Sequence, residues 1–256
     1  MKKIINNKYK FLEKDLEKFV QLFDKKGEII KDSRNTLKKF NCNEISLVIK
    51  SFQTPNFFNK VIYNFFRKGK AQRSFEHAKR LMSIGINTPE PIAYFEERTC
   101  LFLKRSFYIS KYTSYDFSIR EVINNFELKK NKKIIEAFTE FTFKLHENNI
   151  NFLDHSPGNT LIKFEDEKPK FYLVDINRMK FENMKSSKRL GNFSRISKKN
   201  EVIKLISNQY SNLSGLDYEQ TFDSIWKNVL KFRYRFNLKK RLKNYFFLIS
   251  KNNNKS

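Results

Sequence analysis

Apolar residues recur every three to four positions in two stretches of the chain, 68–84 and 132–147, and this spacing predicts amphipathic helices. Gly85 follows the first stretch and is a typical helix stop. A shorter, charged helix is predicted for residues 10–26. The positions expected to face a core are Phe75, Ala78 and Met82 in the first of the two stretches, and Ile134, Phe138, Phe141 and Leu145 in the second.

Short apolar runs bounded by polar residues predict strands. The clearest is 44–50, which ends on Lys50. Residues 27–31 begin a strand-and-turn region with the turn signal Asp32-Ser33-Arg34-Asn35. Because strands dominate the first part of the chain and helices the rest, the order predicts an α+β fold with a boundary near residue 111. Further strands are predicted at 93–96, 100–103, 107–110, 160–164 and 171–174.

Composition narrows the class of protein. Of 256 residues, 39% are hydrophobic, which is too many for a disordered chain. The formal net charge of +25 favours an anionic partner, such as a nucleic acid, an anionic membrane face or a phosphorylated substrate. The two cysteines do not suggest a disulfide framework or a zinc site. The N-terminus lacks the apolar core of a secretory signal and no run is long enough to span a membrane, so we expect a cytoplasmic protein.

The candidate chemistry lies in residues 151–179, where a loop carries Asp154 and Asn159 and the next strand ends on Asp175. A carboxylate at the end of an apolar strand is costly unless a partner compensates it, and a metal ion is one such partner. The five-residue step from Asp154 to Asn159 allows one tight loop to present both side chains. Carboxylates beside oxygen ligands for Mg²⁺ and positioned cations are what phosphoryl transfer requires.

The spacing of an Asp and an Asn five residues apart is weak evidence by itself, since Asp223 and Asn228 repeat it in a stretch that is predicted to be helical. The context distinguishes the first pair. A helix precedes it, Pro157-Gly158 shape the loop, and two strands joined by a charged turn lead on to Asp175. His155 is expected to be a loop residue beside the site, whereas His77 and His146 are expected to be ordinary helix residues.

This arrangement resembles the catalytic half of the protein-kinase-like fold, in which an H-R-D-x-x-x-x-N loop is followed by a D-F-G strand end. More specifically, "DHSPGNTLI" and "FYLVDINRMKF" resemble the lipopolysaccharide core kinase family, which phosphorylates heptose or the acidic sugar Kdo on the growing lipid A–core. In the N-terminal half, "LVIKSF", "KAQRSFEHAKRL" and "TPEPIAYFE" are similar to that family's nucleotide lobe. The resemblance covers roughly residues 27–180.

The resemblance implies a role for five residues. Lys50 would contact the α- and β-phosphates of ATP and pair with Glu76 on the following helix. Asp154 would orient or deprotonate the acceptor hydroxyl, and Asn159 and Asp175 would hold Mg²⁺. Taken from the residues alone, a lysine at the end of a strand usually reaches water, and Glu76 could pair with the basic neighbours Lys79, Arg80 or Arg73 on its own helix.

The chain departs from the kinase pattern at several positions. Phe152 replaces the usual histidine, Asn177 replaces the flexible glycine, and Ser156 stands where many protein kinases carry a lysine that stabilises the transferring phosphate. Arg178 is a candidate for supplying part of that charge. No G-x-G-x-x-G precedes Lys50, so the loop covering the phosphates would come from residues 32–37, with Arg34 or Asn35 replacing glycine amides.

The resemblance therefore implies a bilobal protein-kinase-like enzyme with a small, β-rich nucleotide-binding lobe (1–110) and a larger, mostly helical catalytic lobe (111–256). It would be a phosphotransferase with an alcohol acceptor, using ATP and Mg²⁺, with Kdo preferred to heptose. A protein or small-molecule kinase of the same fold is the first alternative. A nucleic-acid-binding protein or pseudokinase is the second.

The last 26 residues, 231–256, contain nine Lys or Arg and no acidic residue, and their apolar members form a rough helical stripe. Aromatic residues in this chain mostly follow helix faces rather than alternating with basic residues along a groove, so nucleic acid is not the expected partner. An anionic inner-membrane surface at the cytoplasmic face is expected instead. The competing interpretation is a solvated helix followed by a disordered Asn/Lys-rich end.

Overall fold

The computed structural model describes residues 1–52, 68–98 and 103–253, with side chains described as far as residue 245. The chain divides into two compact units. The first combines Met1–Asp116 with Leu161–Met179, and the second combines Phe117–Thr160 with Lys180–Ser256. The assignment of residues 1–110 and 111–256 to nucleotide-binding and catalytic roles stays a prediction.

The first unit is built on an antiparallel six-stranded sheet in the order β1-β5-β6-β4-β3-β2. The predicted strands at 44–50 and 93–96 are confirmed, and the predicted turn at 32–35 connects β2 to β3. The segment predicted at 107–110 lies within one longer strand, and residues 100–102 lie outside the described residues. The strands are β1 (Lys2–Ile5), β2 (Glu28–Lys31), β3 (Asn35–Cys42), β4 (Ile45–Phe52), β5 (Pro91–Arg98) and β6 (Leu103–Lys111).

Helices cover this sheet and complete its core. A 3-10 helix (Asn7–Leu12) leads into α1 (Glu13–Gln21), whose Leu16 and Val20 pack in one cluster with the apolar side chains of β3–β6. Helix α2 (Lys70–Ser83) confirms the helix predicted for 68–84, and Gly85 ends it with φ +70°. Phe75 and Ala78 are buried as predicted. Met82 was wrongly assigned to the core, because the buried face continues through Leu81 and leaves Met82 44% exposed.

A β-hairpin carries the chain to the candidate carboxylate. It consists of β9 (Thr160–Glu165) and β10 (Lys168–Leu173), and it confirms the two strands predicted there. The end of β10 is fixed within the first unit by two hydrogen bonds. The amide of Leu173 donates to the Asn87 carbonyl (3.0 Å), and the Thr88 hydroxyl donates to the Leu173 carbonyl (2.7 Å). Asp175 therefore follows an anchored strand end.

The second unit is mostly helical, and local signals set its boundaries. A capping box of Ser118 and Glu121 begins the first helix. The predicted helix at 132–147 is confirmed and starts three residues earlier. Strand β8 (Ile150–Phe152) pairs with β11 (Met179–Phe181). The other elements are β7 (Phe117–Ser118), α3 (Ile119–Asn124), α4 (Lys129–Glu147), α5 (Ser186–Gly191), α6 (Asn200–Ser214), α7 (Tyr218–Asn253) and two 3-10 helices, Pro157–Asn159 and Asn192–Arg195.

The last helix, α7, is 36 residues long. Gly215 ends α6 in the left-handed conformation, and the Asp217 carboxylate accepts a hydrogen bond from the Gln220 amide where α7 begins. Ile225 and Val229 are buried, whereas later side chains are exposed, such as Tyr234 at 71%. None of the described helices, α7 included, is long and apolar enough to cross a membrane.

Two buried histidines form part of the core of the second unit. His146 contacts the Tyr210 hydroxyl through Nδ1 (2.9 Å) and the Asn192 amide oxygen through Nε2 (3.4 Å). Since that amide oxygen can only accept, Nε2 carries the proton and Nδ1 accepts from Tyr210. His155 stacks on the ring of Phe138. Burial lowers the pKa of His146 to about 4 and that of His155 to about 3.

These two histidines predict an acid-sensitive fold. Below their unfolded pKa of about 6.5, the unfolded chain binds protons that the folded chain does not, so stability is lost as the pH falls from 7 towards 4. Each histidine can contribute a slope of up to about 1.4 kcal/mol per pH unit. Urea unfolding at pH 7, 6 and 5 measures this slope.

His155→Gln should flatten the slope even if it lowers stability at pH 7. His77→Gln is the matched control, because His77 is only half-buried and should change the slope less. An unchanged slope in His155→Gln would contradict the prediction.

Candidate active site

In the first unit, the candidate site centres on an ion pair of Lys50 and Asp175. Lys50 Nζ, near the end of β4, lies 2.7 Å from Asp175 Oδ1, just beyond β10. The Lys50 side chain is 13% exposed and that of Asp175 is 31% exposed. A lysine this buried needs a compensating charge. Two predicted site residues that are 125 positions apart in the chain therefore meet in the fold.

The backbone at Asp175 adopts the left-handed conformation, with φ +56°. Asn and Asp tolerate this region better than other non-glycine residues, and such conformations are common at functional sites. The buried Asn177 donates from Nδ2 to Asp175 Oδ1 (2.5 Å). Asn177 was interpreted only as a replacement for a flexible glycine, but its amide holds the carboxylate.

His77 on α2 supports the same turn. Its Nδ1 lies 2.8 Å from the Ile176 carbonyl, and since a carbonyl only accepts, Nδ1 must carry the proton. Burial lowers the pKa of His77. His77 was expected to be an ordinary helix residue, and its contact connects α2 to the turn that displays Asp175.

A further cation, Lys70, lies with Lys50 against the ring of Phe52, and the sequence analysis missed it. Lys70 is the first residue of α2, and its pKa is lowered by burial and then by the charges of Arg34, Arg178 and Arg73. The Asp175 carboxylate acts in the opposite direction. The sequence signal that could have identified Lys70 is its position at the start of a helix, since the positive end of the helix dipole disfavours a lysine in the first turn. This concentration of positive charge favours an anion.

The other predicted residues of this unit occupy separate positions. Glu76 accepts hydrogen bonds from Lys68 Nζ (2.8 and 3.0 Å) and from Gln72 Nε2 (2.9 Å). In place of the predicted Lys50–Glu76 pair, Glu76 therefore pairs with Lys68 and Lys50 pairs with Asp175. Arg34 is exposed in the turn before β3, and the half-buried Asn35 begins that strand. The positive charge of Arg34 contributes to the lowered pKa of Lys70.

In the second unit, Asp154 and Asn159 lie at the two ends of one tight loop. Asn159 Nδ2 donates to the backbone carbonyl of Asp154 (2.9 Å), and the Asn159 amide donates to the Ser156 carbonyl (2.9 Å). This hydrogen bond uses the amino group of Asn159 and leaves its Oδ1 as an acceptor. The predicted juxtaposition of Asp154 and Asn159 is therefore formed.

His155 anchors the loop to helix α4. Its ring centroid is 5.3 Å from that of Phe138, and its Nε2 lies 3.2 Å from the Thr142 hydroxyl. On the other side, a Cβ added at Gly158 would lie 2.6 Å from Arg120 Nη2, so the glycine allows this guanidinium to approach the loop closely. The Asp154 carboxylate accepts a hydrogen bond from Arg195, a residue that the sequence analysis did not consider.

The residues present suit ATP and Mg²⁺. Mg²⁺ prefers carboxylate and amide oxygens and keeps part of its coordination sphere for water and phosphate. Asp175 and Asn159 each provide such an oxygen. The cations near Asp175 provide the positive charge that would neutralise the oxygens of a polyphosphate.

These observations, a β-rich first unit with a Lys–Asp pair and a helical second unit with an Asp–Asn loop, define the protein-kinase-like class. A structure of WaaP in complex with acyl carrier protein matches with a TM-score of 0.61 and 10% identity, over 92% of this chain and 98% of that chain. The Rio2 kinase ADP/Mg²⁺–phosphoaspartate complex from Chaetomium thermophilum matches with a TM-score of 0.48 and 14% identity, over 83% of this chain and 65% of that chain. A search of curated proteins found no match.

The family is established by a sequence comparison. The model of the lipopolysaccharide kinase (Kdo/WaaP) family matches residues 24–218. The chain therefore belongs to this family, as the resemblance implied, and its fold is kinase-like.

A double-mutant cycle should detect the ion pair at the centre of the first-unit site. Lys50→Met and Asp175→Asn should each destabilise the fold, because each leaves a half-buried polar group without its partner. The double variant should lose less than the sum, with a coupling energy of about 1–2 kcal/mol by urea unfolding.

The matched control is the pair of Arg105 and Asp24 in the same unit, whose side chains are 37% and 68% exposed. Arg105→Met and Asp24→Asn should couple by less than about 0.5 kcal/mol. Equal coupling in the two cycles would show that burial adds nothing to the Lys50–Asp175 pair.

Proposed function

We propose that this protein transfers the γ-phosphoryl group of ATP to a hydroxyl of an inner-core sugar of lipopolysaccharide, with Kdo as the preferred acceptor. Membership of the lipopolysaccharide kinase family gives the reaction class. The observation that carries the proposal is the Lys50–Asp175 pair, together with Lys70, whose pKa is lowered by burial and by the positive charges of Arg34 and Arg178. A purely structural ion pair would not need this excess of positive charge, whereas a bound polyphosphate would neutralise it.

The cations of the first unit would bind the nucleotide. Lys50 would contact the α- and β-phosphates, and Lys70 and Arg34 would add the positive charge that glycine amides supply in other kinases. Asn35 would contribute with Arg34 to the covering turn. Glu76 would become the partner of Lys50 once ATP and metal occupy Asp175.

The oxygen-bearing side chains would hold the metal and the acceptor. Asp175 and Asn159 would be ligands of Mg²⁺, which supplies charge neutralisation at the phosphate oxygens when bound. Asp154 would accept a hydrogen bond from the acceptor hydroxyl and take its proton as the new oxygen–phosphorus bond forms. The role of the protein is then to position these groups and to complement developing charge.

The nucleotide site is tested by thermal unfolding with and without ATP and Mg²⁺. A ligand at about 100 times its dissociation constant stabilises the native state by roughly 2.7 kcal/mol. The wild type should therefore shift upwards, Asp175→Ala should not, and Lys70→Met should shift less. Lys79→Met is the control, since Lys79 is exposed on the same helix and should leave the shift unchanged.

Transfer is then measured with labelled ATP and Kdo–lipid A. Asp154→Asn should bind nucleotide but lose transfer by about 10²-fold or more. Transfer to a soluble protein or sugar without lipid would favour another kinase activity of this fold. A wild type with no shift, together with salt-sensitive RNA or DNA binding, would refute the kinase proposal.

We also propose that α7 rests on an anionic lipid surface that presents the acceptor. Between Lys231 and Tyr245 this helix is exposed along most of its length, and it combines basic residues with exposed apolar ones such as Phe236 and Leu242. Basic residues near an anionic membrane contribute about 1 kcal/mol each, and apolar side chains on the same helix add burial in the interface.

Co-sedimentation with vesicles tests this surface. The wild type should bind vesicles with 30% anionic lipid and not neutral ones, and binding should weaken with salt. Replacing Lys239, Lys240, Arg241 and Lys243 by Gln should lower the affinity at least about 10-fold.

A second cluster provides the matched control. Lys129, Lys130, Lys132 and Lys133 are equally dense and exposed at the start of α4, so their replacement by Gln removes the same charge elsewhere. Equal losses in both variants would mean that net charge, rather than α7, attracts the protein to lipid. Acyl carrier protein is added as a competitor for vesicle binding, because WaaP was solved in complex with acyl carrier protein.

A further inference from the structure

The loop between Asp154 and Asn159 lacks the lysine that many protein kinases carry at the position of Ser156. In the fold, a cation reaches the same carboxylate from another part of the chain. Arg195 Nη1 donates to Asp154 Oδ1 and also lies 3.4 Å from the Leu153 carbonyl. Arg195 is 41 residues away from Asp154 in the sequence, so no local sequence motif indicates the contact.

The structure holds Arg195 from two sides. Asn192, at the start of the same 3-10 helix, donates to the Phe152 carbonyl (2.9 Å) directly before the loop. Phe193 between them is fully buried. The guanidinium carbon of Arg195 lies 5.1 Å from the ring centroid of Phe232 on α7, which is the geometry of a cation–π contact. The arginine is therefore fixed rather than free to sample solvent.

An isolated surface pair would not need this support. The side chains of Arg195 and Asp154 are 31% and 18% exposed, so the pair lies at the edge of the solvent with Asp154 the more buried partner. Arg195 donates from Nη1 to the carboxylate, and its guanidinium is a planar fork of N–H groups that keeps its charge. Such a group can hold a carboxylate and keep positive charge beside it at the same time.

We propose that Arg195 is the positioning residue of phosphoryl transfer, holding the Asp154 carboxylate and adding the positive charge that the missing loop lysine would supply. The inference rests on the proposed function, in which Asp154 acts on the acceptor hydroxyl. In that step the acceptor oxygen bonds to the γ-phosphorus and the bond from phosphorus to the ADP oxygen breaks. The hydroxyl proton passes to Asp154, ADP leaves, and Arg195 keeps its own protons throughout.

The test compares kcat and the KM for ATP in full-length variants, with labelled ATP and Kdo–lipid A. Arg195→Met should lower kcat by about 10²-fold while the KM for ATP changes by less than about threefold, because Arg195 acts on the transferring step rather than on nucleotide binding. Arg195→Lys, which keeps the charge but loses the fork, should recover part of the loss. Adding Arg195→Met to Asp154→Asn should cost little more than Asp154→Asn alone.

Arg189→Met is the control for loss of an arginine–carboxylate pair. Arg189 pairs with Glu147 in the same unit, and its removal should leave kcat within about threefold of wild type. The inference is overturned if Arg195→Met retains kcat, or if it reduces kcat no more than Arg189→Met. The inference is also overturned if the fold-losses in kcat caused by Arg195→Met and by Asp154→Asn multiply in the double variant. Failure of the proposed function would appear in the wild-type protein itself, whereas failure of this inference appears only in the comparison of variants.

Discussion

The excess of positive charge around Asp175 is the constraint on which the first unit depends. Arg34 and Arg178 repel the charge of Lys70, whereas the Asp175 carboxylate attracts Lys70 and pairs directly with Lys50. Several elements of the first unit hold the carboxylate in this position. β10 is anchored at its end, the Asn177 amide holds one oxygen, and His77 holds the next carbonyl. A bound polyphosphate would complete the neutralisation that one carboxylate begins.

Periodicity and turn residues were sufficient to predict most of the regular elements. β4, α2, α4 and the β9–β10 hairpin lie where the alternation of apolar and polar residues indicated, because each buries one face against a core. Met82 shows the limit of this argument. Position 82 fits the helical spacing almost as well as position 81, and only the packing partners decide which of the two is covered.

The candidate site was predictable where its residues are close in sequence and less so where they are distant. Asp154 and Asn159 share one loop, so their spacing implied their juxtaposition. Lys70 and Arg195 were missed because their roles depend on Asp175 and Asp154, which are 105 and 41 residues away from them in the chain. Asn177 was interpreted only as the loss of the glycine in the kinase pattern. Comparison with that pattern shows that the glycine is absent, but it does not show that the asparagine amide donates to Asp175.

The discontinuity of the first unit has a consequence for the order in which the protein can be made. Its strand-rich part is synthesised first, but Leu161–Met179 follows only after the whole of Phe117–Thr160. A nascent chain therefore exposes the end of β4 with Lys50 uncompensated until residue 175 has left the ribosome. A fragment ending near residue 110 would carry Arg34, Lys50 and Lys70 permanently without Asp175. Chaperone dependence and poor solubility of such a fragment would follow from its covalent order rather than from any weakness of its sheet.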